Sequence, residues 1–235
     1  MKTALVSFSG GQDSTTCLFW ALNHYDRVHT IGFDYGQKNH VELSCRKSIL
    51  QKIYSQFPQY AEKLASDVVV NIRSFGQIAQ SALTGNDQTM GEISENGLPN
   101  SFVPGRNLVF LTYAAARAYL INAQTIVAGM GQTDFSGYPD CRRNTMDALQ
   151  NALTLGLDRS IEITTPLMFL TKAQTWELAE MLGGKTLVDF IVENTHTCYE
   201  GDHQHFHEWG YGCGGCPACQ LREKGWKEYL ARKKR

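Results

Sequence analysis

The run Thr3-Ala4-Leu5-Val6-Ser7-Phe8 reads as a buried strand, and it passes through Ser9-Gly10-Gly11 straight into a helical pattern over residues 13–22. A strand that feeds a helix through a tight glycine loop opens a βαβ unit, and the chain repeats the alternation. Strands are predicted at 28–33, 68–72, 125–128 and 161–164. Between them, Leu43, Leu50, Ile53 and Phe57 recur at helical spacing, as do Leu108, Leu111, Ala115 and Ala118. Further helices are predicted over 147–155 and 172–182. Strands separated by helices must run parallel and be covered on both faces. The expected fold is α/β: an open, Rossmann-like, parallel five-stranded sheet with helices on both faces. Ligands of such sheets bind beyond the carboxyl ends of the strands.

Two stretches interrupt the alternation. Residues 74–104 are rich in Gly, Asn, Ser and Gln, and a loop this long inside a compact unit is a lid, a binding loop or an insertion. From Asn194 onward the composition turns to His, Cys and Gly and ends in a basic helix. The expected division is an α/β domain over 1–193 and a C-terminal segment over 194–235. At 235 residues one well-buried domain fits comfortably. The net charge of -1 steers the chain toward neither nucleic acid nor an anionic membrane. The apolar run at the N-terminus is too short for a secretion signal, so a cytoplasmic location without membrane contact is expected.

The loop Ser9-Gly10-Gly11-Gln12-Asp13-Ser14-Thr15 carries the first chemistry. Its glycines let an anion approach the backbone, and the helix behind it offers free N–H groups and a positive dipole end. Asp13 beside an anion calls for a bridging cation, which suggests Mg²⁺. The plain alternative is a Gly-Gly turn with Asp13 and Ser14 capping the helix. The loop lacks the lysine pattern of a Walker A motif. Gly184-Lys185-Thr186 imitates that motif but follows a helix and reads as a helix C-cap. Gly129-Met130-Gly131 resembles a dinucleotide fingerprint, yet Asp134 replaces its last glycine.

Of seven cysteines, Cys17, Cys45 and Cys141 are scattered, whereas Cys198, Cys213, Cys216 and Cys219 cluster late in the chain. Cys213-x-x-Cys216-x-x-Cys219 with Cys198 suits a closed tetrahedral zinc site of structural type. His196, His203, His205 and His207 are possible substitutes for Cys198. Free thiols, a redox pair or an iron–sulfur cluster are the alternatives.

Ser-Gly-Gly-x-Asp-Ser directly after a first strand resembles the pyrophosphate loop of the N-type ATP pyrophosphatases, an adenine nucleotide α-hydrolase-like α/β superfamily. Phe33-Asp34-Tyr35-Gly36-Gln37-Lys38-Asn39-His40, Val103-Pro104-Gly105-Arg106-Asn107 and Tyr138-Pro139-Asp140-Cys141-Arg142, with the late cysteines, narrow the resemblance. Over nearly the whole chain it is to the 7-cyano-7-deazaguanine synthase family. Gly105 stands where alanine is expected and Arg143 where proline is common. The resemblance implies that ATP, ammonia and 7-carboxy-7-deazaguanine are the substrates and that queuosine biosynthesis is the setting. It also implies a homodimer. The chain has no room for a glutaminase domain, so free ammonia is the expected nitrogen donor.

Phe8, Ser9, Gly10, Gly11, Gln12, Asp13, Ser14, Thr15, Thr16, Cys17 and Leu18 are the expected ATP-binding residues, with Asp13 on Mg²⁺. Lys172 is placed to neutralise phosphate and Arg106 to bind phosphate or the substrate carboxylate; a solvated helix-start residue is the alternative for each. Asp140 is expected to accept from a guanine-like edge and Arg142 to pair with the carboxylate. Tyr35, Gln37, His40 and Tyr138 are expected to line the substrate site, or else to pack the loops. Cys141 reads as a small buried thiol in preference to a nucleophile. The rival enzyme reading is a tRNA-modifying pyrophosphatase, thiolating or lysidine-forming, using the basic tail Lys227, Arg232, Lys233, Lys234 and Arg235. A non-catalytic nucleotide-binding or zinc-ribbon module is the remaining alternative.

Overall fold

The computed structural model describes residues 1–85, 90–132 and 137–234. Residues 86–89 of the long 74–104 segment, Asp134 and Arg235 lie outside the described residues. The sheet is built from β1 (Thr3–Ser7), β2 (Arg27–Asp34), β3 (Leu64–Asn71), β4 (Thr125–Val127) and β5 (Glu162–Thr164). Its order is β3-β2-β1-β4-β5 and every pairing is parallel. The expected five-stranded α/β sheet is therefore present.

Period-two alternation along β1 divides the core. Ala4 and Val6 face one layer, with α1 (Gln12–His24), α2 (Val41–Gln56) and α7 (Lys172–Asn194), whereas Leu5 faces the other. That second layer holds Leu111, Ala114, Ala115 and Ala118 of α5 (Arg106–Leu120) and Met146 and Leu153 of α6 (Arg143–Leu157). The chain moves outward from β1 to β3, then crosses back over β1 to β4. The order reverses between β1 and β4, and their carboxyl ends part there to leave a crevice.

The structure moves several predicted boundaries. β3 begins at Leu64, four residues before its apolar run, because its polar residues find partners. Ser66 Oγ meets His29 Nδ1 at 2.7 Å, and Asp67 receives Arg46 and Thr30. The 74–104 segment is not structureless throughout: after the short α3 (Pro58–Ala61) and β3, a helix α4 (Arg73–Ile78) opens it. The helix predicted over 172–182 runs on to Asn194. Gly183 (φ -149°) and Gly184 (φ +65°) kink it, and Leu187, Val188, Phe190 and Ile191 bury the resumed half. Gly184-Lys185-Thr186 thus lies at a kink inside a helix and not at a strand end.

After α7 the chain forms a small hairpin, β6 (Phe206–His207) with β7 (Gly210–Tyr211), and then α8 (Pro217–Lys233). α8 lies against α7 through Trp226 edge-on to Trp176, ring centres 5.0 Å apart. Arg222 is fully buried there: it donates to Thr197 Oγ1 at 2.9 Å and to the Ile191 carbonyl, with its guanidinium over Trp176. Among the described residues no helix is long and apolar enough to cross a membrane.

Candidate active site

The loop after β1 is held in shape by its own polar groups. Ser14 Oγ accepts the N–H groups of Ser9 and Gly10, each at 3.2 Å, and donates to the Gly11 carbonyl at 3.1 Å. Gly10 has φ +100°, and a Cβ there would lie 2.6 Å from the Glu42 carbonyl oxygen and 2.8 Å from the Arg46 nitrogen. No side chain fits that position. Arg46 braces the loop from behind, its Nε donating to the Phe8 carbonyl at 2.8 Å while Asp67 holds the guanidinium. The first N–H groups of α1, at Gln12, Asp13 and Ser14, have no helical acceptor to use and remain for an anion.

Around this loop opens a cavity of about 300 Å³ at the β1–β4 crevice. Phe8, Ser9, Gly11, Gln12, Asp13 and Ser14 line it, as do Tyr35, Arg106, Tyr138 and Lys172 from segments distant in sequence. Lys172, at the first position of α7, sends its Nζ to both oxygens of Asp13 at 2.8 and 2.9 Å. Its stem lies under α8: a Cβ on Gly225 would sit 2.5 Å from Lys172 Cγ. Arg106, at the start of α5, donates to the Tyr35 hydroxyl at 3.3 Å and stacks near its ring. Tyr35 and Tyr199 have their phenol pKa raised by burial, so both stay neutral beside the guanidinium.

Other predicted site residues are differently placed, some of them behind the cavity wall. Thr15 and Thr16 return their hydroxyls to the Gly11 and Gln12 carbonyls, and Cys17 and Leu18 are fully buried in the core. Gln37 lines the cavity, but its side-chain amide is engaged by the Tyr35 N–H and the Phe33 carbonyl. His40 is exposed and faces Asp34 at 3.9 Å. Asp140 Oδ2 accepts the Asn107 backbone N–H at 3.0 Å, tying the 3₁₀ turn Pro139–Cys141 to the start of α5. Arg142 is exposed at the cap of α6 and does not line the cavity. Cys141 does line it, and burial followed by the Asp140 charge pushes its thiol up to about 12, which keeps it protonated.

Sequence reasoning missed several wall residues. Glu42, in the first turn of α2, faces the loop: Asn39 Nδ2 donates to its Oε2 at 3.0 Å, and a Cβ on Gly11 would come within 2.7 Å of Oε1. Burial raises the Glu42 pKa to about 7, against the lowering influence of Ser9, Arg106 and Asn39. Thr197, Tyr199, Ala218 and Leu221, from the cysteine-rich segment, form another part of the wall. That segment is stitched to the loop by the His196 N–H, which donates to the Gly10 carbonyl at 3.2 Å.

The sulfurs of Cys198, Cys213, Cys216 and Cys219 all lie within 4.8 Å of one another, and two of the pairs are 4.0 Å apart. Four thiolates around zinc at ~2.3 Å would stand roughly 3.8 Å apart in a tetrahedron, so the donor set fits the ion. His196 Nε2 lies 3.1 Å from the Cys198 carbonyl and His207 Nε2 lies 2.8 Å from that of Gly212, so neither replaces a cysteine. The basic tail is engaged locally: Arg232 pairs with Glu177 at 3.0 Å, Lys233 with Glu180, and Lys227 with Glu223.

The family model and the curated relatives agree with each other. The family model described as queuosine biosynthesis protein QueC matches residues 3–230. A curated 7-cyano-7-deazaguanine synthase of Caulobacter vibrioides (strain NA1000 / CB15N) is 59% identical over 228 residues, covering 97% of this chain and 93% of that protein. One from Nitrobacter hamburgensis is 57% identical over 231 residues, covering 98% and 96%. Among solved structures, a 4-thiouridine synthetase–RNA complex with bound ATP aligns over 97% of this chain and 50% of that one, at 14% identity and a TM-score of 0.49.

Proposed function

The chain belongs to the family of queuosine biosynthesis protein QueC, and from that premise we propose that it makes 7-cyano-7-deazaguanine from 7-carboxy-7-deazaguanine, ammonia and ATP. It is an ATP-dependent C–N ligase. The substrate carboxylate attacks the α-phosphorus and pyrophosphate leaves, giving the acyl-adenylate. Ammonia displaces AMP to form the amide, and a second activation at the amide oxygen lets that oxygen depart and leaves the nitrile.

The observation that carries this reading is the convergence of two cations on one glycine loop. Lys172 and Arg106 come from α7 and α5 and line the same cavity as Ser9, Gly11 and the start of α1. Such an arrangement suits a departing pyrophosphate and an anionic substrate in one chamber. Residues 8–18 form the ATP loop, Ser9, Gly11 and Ser14 contacting phosphate while Thr15, Thr16, Cys17 and Leu18 support it. Lys172 balances the charge developing on the phosphates. Arg106 receives the substrate carboxylate between Tyr35 and Tyr138, leaving a planar base to lie against aromatic walls. Asp140 holds Asn107, and through it the start of α5, in place. Gln37 takes a supporting position beside that substrate, whereas His40 and Arg142 stand outside the cavity.

Asp13 offers oxygen donors to the cavity and would hold Mg²⁺, which when bound supplies charge neutralisation of the triphosphate. Cys198, Cys213, Cys216 and Cys219 would hold a structural zinc with no open coordination position. We take 1–193 as the ATP-binding domain and 194–235 as the zinc-binding segment. A cytoplasmic homodimer acting on small molecules and not on nucleic acid completes the proposal. It is supported by family membership, the net charge of -1 and the locally paired tail.

The test is exchange of labelled pyrophosphate into ATP without ammonium. Exchange that requires 7-carboxy-7-deazaguanine and Mg²⁺ is expected. Exchange that ignores the carboxylate but appears with tRNA would replace this reading with the tRNA-modifying one.

A further inference from the structure

Glu42 has no part in phosphate or carboxylate binding as proposed, yet it is a carboxylate set in a chamber whose other inward charges are Lys172, Asp13 and Arg106. Asn39, three residues earlier and only 7% exposed, turns its Nδ2 to Glu42 Oε2. The amide thus presents its nitrogen to the carboxyl group. Asn39 Oδ1 is thereby left as a buried acceptor, and among the described residues it receives no hydrogen bond. A buried amide oxygen without a donor costs free energy unless a ligand supplies one. Glu42 and Asn39 both line the cavity and touch each other, so a carboxylate and an unfilled amide acceptor meet there and describe a subsite for a small cationic donor.

We propose that Glu42 and Asn39 Oδ1 form the subsite that receives the ammonium ion for the capture step. This deepens the reading given above and rests on it. An ammonium ion has four N–H donors and is satisfied by such acceptors, whereas Mg²⁺ demands octahedral oxygen ligands and keeps several waters. Bound there, the ion passes one proton to the Glu42 carboxylate. The freed lone pair on nitrogen attacks the carbonyl carbon of the acyl-adenylate and the C–N bond forms. The C–O bond to AMP then breaks, AMP leaves with the bonding pair, and a second N–H proton goes to water. Glu42 returns its proton to solvent before the next cycle.

The ammonium dependence of turnover tests this in Glu42→Gln and, as a smaller perturbation of the same corner, Asn39→Ser. Glu42→Gln is expected to raise the KM for ammonium about tenfold or more while the KM for ATP moves less than about threefold, the split that marks loss of one ligand's contacts. Hydroxylamine, uncharged at neutral pH, already carries a free lone pair, so it needs neither the carboxylate nor a deprotonation before it attacks, and its N–H proton leaves to water after the C–N bond has formed. Hydroxamate formation by Glu42→Gln is therefore expected within about threefold of the wild-type rate. Equal losses with ammonium and hydroxylamine, or a shift in Mg²⁺ dependence as large as that for ammonium, would overturn the assignment and make Glu42 a brace of the loop or a metal ligand. Wild-type protein that makes no hydroxamate from the carboxylate would instead overturn the ligase reading itself.

Discussion

Replacing Lys172 by methionine is expected to slow carboxylate-dependent ATP–pyrophosphate exchange about 10³-fold, on the order of 4 kcal/mol of transition-state stabilisation. The residue is 8% exposed and its Nζ bonds both oxygens of Asp13. Methionine keeps the stem that packs beneath Gly225 and removes only the charge. Asp13 loses a partner but stays about a third open to solvent, so the stability cost is small. Thermal unfolding should therefore barely move while exchange collapses. Gly225→Ala approaches the same lysine from α8: its new Cβ would fall 2.5 Å from Lys172 Cγ, so the stem must shift and part of the same loss is expected. Exchange that survives both substitutions would remove Lys172 from the chemistry.

The second large effect concerns the cysteines. Chelation, or Cys216→Ser, is expected to release bound zinc and lower the melting temperature by about 10 °C, as a loss of roughly 4 kcal/mol would in a chain this size. Adenylation should be lost with it, because the segment does more than close a chain end. Thr197, Tyr199, Ala218 and Leu221 line the cavity, His196 bonds the Gly10 carbonyl and Gly225 covers Lys172. Metal content, unfolding and exchange measured on one preparation check this. Full activity in metal-free protein would show that the segment holds its shape through Trp209, Trp226 and the α7–α8 contact alone.

Local pattern and fold were legible together at the first strand. The apolar run Ala4-Leu5-Val6 and the glycines behind it specify a buried strand, a tight anion loop and a helix start without reference to the rest of the chain. The cysteine cluster was legible for the same reason, since its ligands lie close in sequence. What failed to show was whatever depends on a distant partner. Asp67 reads as a strand breaker until Arg46 and Thr30 are brought to it, so β3 appeared to start four residues late. Residues 185–194 were hidden behind Gly183-Gly184, which looks like a helix end until the buried face beyond it is counted.

The substrate wall follows the same rule. Asp140 has the chemistry to read a guanine edge, but the fold turns its Oδ2 to the Asn107 N–H. Glu42 looks like an ordinary acidic residue in a helix's first turn. Its one sequence signal is position, just after the carboxyl end of β2, where this class of sheet collects its ligands. Tyr199 carried less warning still, being marked only by the neighbouring Cys198.

The central claim is a reaction, and its products decide it. Purified protein incubated with ATP, Mg²⁺, nitrogen-labelled ammonium and 7-carboxy-7-deazaguanine should yield 7-cyano-7-deazaguanine carrying the label, together with AMP, both read by mass spectrometry. AMP formed without labelled nitrile from that carboxylate, but formed when tRNA replaces it, would contradict the account.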